Sequence, residues 1–149
     1  MGTVTFGLTK PGNGDSTYAL LASLKANNPE QEEYTGSSFV LSQKLNTCAG
    51  QSYNITLDFR YDEAADGKCL FSYGIVGSDD AATDYDGDTY DGSWSDAAPP
   101  QTWYSRSSGF KASKPNEVLV IFVGCQGDVT NAYSIDNVVV TPVGEPSKA

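Results

Sequence analysis

Histidine is absent from this 149-residue chain. Without it there is no Ser-His-Asp or Cys-His catalysis, and the commonest zinc ligand is missing. Positive charge is scarce too: 9 Lys and Arg stand against 19 Asp and Glu, a formal net charge of −10. Nucleic acid and anionic membrane surfaces are therefore excluded as expected partners, while calcium and neutral, hydroxyl-rich ligands stay open. There is 1 methionine, and no long stretch keeps a 3.6-residue period, whereas glycine (15) and aromatics (11%) are plentiful. That balance predicts an all-β chain. No repeat of solenoid or propeller length breaks it into units, and its length suits one domain with a core of its own.

What is present is strand alternation. Within Ser38–Tyr61, Phe39, Leu41 and Leu45 share one side of a first run, with Val40, Ser42 and Lys44 on the other. In the second run Tyr53, Ile55, Leu57, Phe59 and Tyr61 alternate with Asn54, Thr56, Asp58 and Arg60. Successive side chains of a strand point to opposite faces, so each run predicts one buried and one wet face. These two runs are expected as core strands of a two-sheet antiparallel β-sandwich. Further strands are predicted at 3–8, 17–24, 69–76, 102–110, 117–125 and 132–140. The 17–24 stretch could be a helix by propensity, but it is brief and follows a turn cluster. The 117–125 run is continuously apolar, as befits a central strand covered on both faces. The last run changes phase across Asp136-Asn137, which predicts a bulge there. Residues 77–101 are the odd part of the sequence, and within them the acidic, aromatic stretch from Asp79 to Asp96 reads as a loop. Met1-Gly2 reads as an expression start and residues 144–149 as a linker stub, so the expected unit is a single excised domain over 3–143.

Cys48, Cys69 and Cys125 cannot all pair within one chain. One disulfide with one free thiol suits an extracellular domain, and three buried reduced thiols is the other reading. Asn54-Ile55-Thr56 is an N-glycosylation triplet of a kind that also arises by chance.

The order LSQKL, AGQSYNITLDFRY, CLFSYGIVG, a Trp-Tyr strand, VLVIFVGC and YSIDNVVVTP resembles the carbohydrate-binding-module 4/9-like jelly rolls, which are galactose-binding-like sandwiches frequent in secreted fungal proteins. The resemblance spans residues 15–143. It implies a jelly roll attached to a larger secreted protein, non-catalytic, monomeric and binding a glycan. It also implies a structural calcium near the chain termini in many members, and a disulfide between Cys69 and Cys125, with Cys48 to Cys125 as the competing pair. The Asn-rich, Phe-containing first strand with which such domains usually open has no counterpart in this sequence.

Seven aspartates fall between Asp79 and Asp96, interleaved with Tyr85, Tyr90 and Trp94. Like charges so close repel, and calcium could offset them by taking six to eight oxygens. The expected metal ligands are Asp84, Asp86, Asp88 and Asp91. A solvated acidic loop is the plainer alternative. A third reading is a binding loop, in which Tyr85, Tyr90, Trp94 and Trp103 stack on sugar faces while Asp86 and Asp88 accept hydrogen bonds from hydroxyls. Trp103 and Tyr104 are strand neighbours, so one is expected on the core and the other in solvent. A glycosidase would need two carboxyls facing each other across a cleft. Asp58 is expected to pair with Arg60 on its own face instead, so no catalytic pair is assigned. The alternative to glycan binding is a structural or adhesive spacer without a ligand.

Overall fold

The computed structural model describes residues 3–10, 12–25, 37–62, 69–76, 90–94, 100–125 and 130–144, with the backbone alone for Thr3 and for 90–94. Among the described residues there are nine strands: β1 (Thr3–Thr9), β2 (Ala19–Lys25), β3 (Ser37–Lys44), β4 (Ser52–Tyr61), β5 (Cys69–Val76), β6 (Tyr90–Trp94), β7 (Tyr104–Lys111), β8 (Val118–Cys125) and β9 (Asn131–Pro142). They form a five-stranded sheet ordered β1-β2-β9-β4-β7 and a four-stranded sheet ordered β3-β8-β5-β6. Every pairing is antiparallel. Among the described residues there is no helix, and 17–24 contributes to β2, held between β1 and β9.

The alternating run of β4 builds one wall of the core: Tyr53, Ile55, Leu57, Phe59 and Tyr61 are all buried. The opposite wall comes from Phe39, Phe71, Tyr73, Leu119, Ile121 and Val123. Phe59 stacks on Phe71 at 4.2 Å between ring centroids, and Phe71 lies 6.3 Å from Tyr133. Each such side chain contributes about 1.5–3 kcal/mol by leaving water. The two runs singled out in the sequence are both strands, but in different sheets and unequal positions. β4 is interior, between β9 and β7, whereas β3 is terminal in its sheet.

The continuous apolar run of β8 is central and covered on both faces, since Val118 and Val120 are buried on the side away from the main core. β9 is bulged where its phase changes. Thr56 pairs with Val139 and Asp58 with Asp136, so Asn137 and Val138 together face Leu57. Asn137 takes φ 50°, a left-handed conformation that asparagine tolerates better than most residues. The phase shift read in the sequence is this bulge.

Two expectations about strand placement needed revision. The stretch from Asp79 to Asp96 is not all loop, because β6 pairs with β5 from Leu70↔Trp94 to Gly74↔Tyr90. Trp103 is not in a strand, because β7 begins at Tyr104. Cys69 and Cys125 face each other in the β5–β8 register and form a disulfide, while Cys48 is free and exposed. The connection before β4 is tied to the β7–β8 turn by Glu117, which is 2% exposed. Its Oε1 accepts from Ser113 N–H at 2.8 Å, Ser113 Oγ at 2.9 Å and Lys114 N–H at 3.2 Å. Thr47 Oγ1 accepts from Glu117 N–H and donates to the Lys114 carbonyl, both at 3.1 Å.

Candidate functional site

Of the residues expected to bind a ligand, Tyr85, Asp86 and Asp88 lie outside the described residues, as does Asp84 of the expected metal set. Tyr90, Asp91 and Trp94 fall together on β6, the terminal strand of the four-stranded sheet. Trp103 is half-buried and directly precedes β7, the terminal strand of the other sheet. Of the Trp103-Tyr104 pair it is Tyr104 that packs on the core, 5.7 Å from the Phe59 ring.

The outer face of the four-stranded sheet can be read row by row from the pairing. Tyr90, Gly74, Val120 and Ser42 are in register, then Gly92, Ser72, Phe122 and Val40, then Trp94, Leu70, Gly124 and Ser38. Phe122 is half-buried in the middle of this face. A β-carbon added to Gly124 would meet Phe122 Cζ at 2.8 Å, so the ring lies across the glycine, and a side chain there would push it away. Sequence reading missed Phe122, because inside a continuous apolar run the outward member looks like its neighbours. The signal was available in the period of two, which sets Val118, Val120, Phe122 and Gly124 on one face.

A second constellation sits on the outer face of the five-stranded sheet, at the β9 bulge. Asp58 Oδ2 accepts from Asn13 Nδ2 at 3.0 Å and Asn137 Nδ2 at 2.8 Å, and its Oδ1 accepts from Ser105 Oγ at 2.6 Å. Asp136 Oδ2 accepts from Asn13 N–H at 2.8 Å. Its Oδ1 accepts from Asn137 N–H at 2.8 Å and Ser16 Oγ at 3.2 Å. Partial burial pushes the Asp58 pKa up, but the bonds from Ser105, Asn137 and Asn13 outweigh it and hold the carboxyl below its usual value. A carboxylate with three donors is therefore anionic near neutral pH and a poor general acid. The expected Asp58–Arg60 ion pair is not formed. Arg60 reaches Asp62 at 3.7 Å, and Asp58 turns to the neutral donors around it.

Among the described residues no group of three or more Asp, Glu, Cys or His side chains could hold a metal ion. The calcium implied near the termini thus has no such cluster there, and the expectation rests on Asp84, Asp86, Asp88 and Asp91, whose side chains lie outside the described set. Asn54 of the glycosylation triplet is half-buried and accepts a bond from Ser107 Oγ at 3.1 Å.

No protein-family model and no curated protein sequence matches the chain. Solved structures do match it. The enzymatically active domain of bacteriophage CBA120 tailspike protein 4 aligns over 95% of this chain and 18% of its own, at TM-score 0.56 and 14% identity. The CBM22-1 xylan-binding domain of Paenibacillus barcinonensis Xyn10C aligns over 97% of this chain and 86% of its own, at TM-score 0.54 and 14% identity. A CBM4 module aligns over 93% and 78%, at TM-score 0.50 and 17% identity. The chain thus spans under a fifth of the phage protein but most of each binding module. At these identities the likeness is one of fold, and the fold is the two-sheet sandwich of carbohydrate-binding modules.

Proposed function

We propose that this chain is a non-catalytic carbohydrate-binding module, of the CBM4/9-like kind, from a secreted fungal protein, acting as a monomer on a polysaccharide or glycan. The observation that supports the reading most is the fold likeness to a xylan-binding domain over 97% of the chain. The ligand surface is the outer face of the four-stranded sheet beside β6. There the Phe122 ring and the two β6 aromatics Tyr90 and Trp94 supply apolar walls for pyranose faces, with Trp103 at the adjoining edge and Tyr85 assigned the same stacking role. Asp86 and Asp88 orient hydroxyls, and calcium held by Asp84, Asp86, Asp88 and Asp91 offsets their repulsion. The net charge of −10 favours a neutral ligand over nucleic acid or anionic membrane. One observation favours the spacer reading: the same face also presents the aliphatic Val40 and Leu70, which stack poorly on sugars, while Val118 and Val120 are buried in it.

Titration calorimetry against soluble β-glucans, xylans and simple sugars tests the proposal. Trp94→Ala and Phe122→Ala should each weaken binding by about thirtyfold, the cost of losing a 2 kcal/mol aromatic anchor. Silence of the wild-type protein across all glycans would establish the spacer. Normal binding by both variants would move the ligand off this face.

A further inference from the structure

The pairing of β2 with β9 ends at Leu20↔Ile135, whereas that of β4 with β9 continues to Tyr53↔Pro142. Among the described residues, β9 beyond the bulge therefore has one paired edge and one open edge. Across the sandwich β3 is likewise a terminal strand, paired with β8 alone. Between these free edges runs an apolar groove of about 580 Å³, lined by Leu41, Leu45, Leu119, Ile121, Val138 and Val140 with Ser42 and Gln43. Val138 is 42% exposed in it.

We propose that this groove is an acceptor slot for an extended segment of another polypeptide, added to β9 as a strand. Three features specify that occupant. The open edge of β9 presents backbone N–H and C=O groups that a strand satisfies and a hydrocarbon or sugar does not. The aliphatic lining takes the apolar half of an alternating strand, while the absence of an aromatic wall argues against a pyranose. Beyond the bulge end of the slot, on the outer face of the sheet, the carboxyl groups of Asp58 and Asp136 are bonded, among the described residues, to amides and hydroxyls. The incoming strand accordingly has Val or Ile at alternate positions and Lys or Arg at the bulge end. The slot is separate from the glycan face, so either proposal can fail alone.

The test uses a fluorescein-labelled Lys-Val-Thr-Val-Thr-Val-Thr peptide with the whole domain, read by fluorescence polarisation and amide hydrogen exchange. Saturable binding with slowed exchange at Val138–Thr141 is expected. Replacing the peptide valines by serine should weaken it by at least about tenfold, since each buried valine is worth a transfer energy of that order. Glu in place of the peptide Lys should also weaken it. Val138→Asp should do the same at an exposed position where folding is not at stake, with Val40→Asp, on the face of β3 that points away from the slot, as a control that binds normally. No saturable binding, equal binding of the serine peptide, or binding without protection of β9 would overturn the proposal. So would a dimer in sedimentation with the same amides protected in the absence of peptide, which would assign the slot to a second copy.

Discussion

The two halves of β9 are nearly equal in apolar character and opposite in fate. In the first, Tyr133 is 0% and Ile135 4% exposed; in the second, Val138 is 42% and Val139 45% exposed. The run Asn137-Val138-Val139-Val140 is the more β-prone of the two by residue type. What separates them is the number of neighbours. The first half lies between β2 and β4 and under the aromatic core, and the second has β4 alone. Burial in a sheet is set by how many strands and layers enclose a position, and composition only makes it possible.

The largest effect that could break this comparison is at its buried end. Tyr133→Ala removes a ring packed 6.0 Å from Tyr61 and 6.3 Å from Phe71, and should cost about 3–5 kcal/mol in urea denaturation. Val139→Ala in the other half should stay within about 0.5 kcal/mol. Comparable losses at the two sites would mean that the second half is enclosed in solution. A middle-sized effect is expected at the joint. Asn137→Ala loses the bonds from Nδ2 to Asp58 at 2.8 Å and to the Asn13 carbonyl at 3.3 Å while keeping a residue at φ 50°. About 1–3 kcal/mol should go, and Asn137→Gly, which relaxes the backbone but not the bonds, should recover part of it. Equal losses in both variants would assign the whole effect to the bonds.

The smallest effect is electrostatic. Asp58 has its pKa lowered in the folded state, so below about pH 4 the unfolded chain takes up the proton first. Its contribution is therefore complete above that pH and disappears as acid is added through the folded pKa. Melting curves from pH 5 to about pH 2.5 should fall less steeply in Asp58→Asn than in the wild type. Parallel curves would show that the bonds at the bulge do not discriminate between charged and neutral forms.

Much of this architecture is legible in the chain because it is local. The five-residue comb of β4, the unbroken β8 and the phase change at Asp136-Asn137 each lie within a dozen residues, and each has its counterpart in the structure. β6 is not legible, because Tyr90-Asp-Gly-Ser-Trp94 has bulky apolar residues at its ends only and derives its strand character from pairing with β5. Nor is the bulge network. Asn13 and Asn137 meet Asp58 from 45 and 79 residues away, and the nearer Arg60 offered a plausible partner that geometry gives to Asp62. On the candidate ligand face, the tyrosines and tryptophans announce themselves by type, whereas Phe122 becomes visible only once β8 has a sheet around it.

The disulfide has a topological consequence. Cys69 and Cys125 are 56 residues apart, and the segment they close contains β5 through β8 together with the whole acidic, aromatic stretch. A protease that cuts once anywhere between residues 70 and 124 opens a ring instead of severing a chain. The two pieces stay joined through sulfur and migrate as one species until a reductant separates them. A domain closed this way remains a single molecule after any one such cut, wherever in the ring it falls.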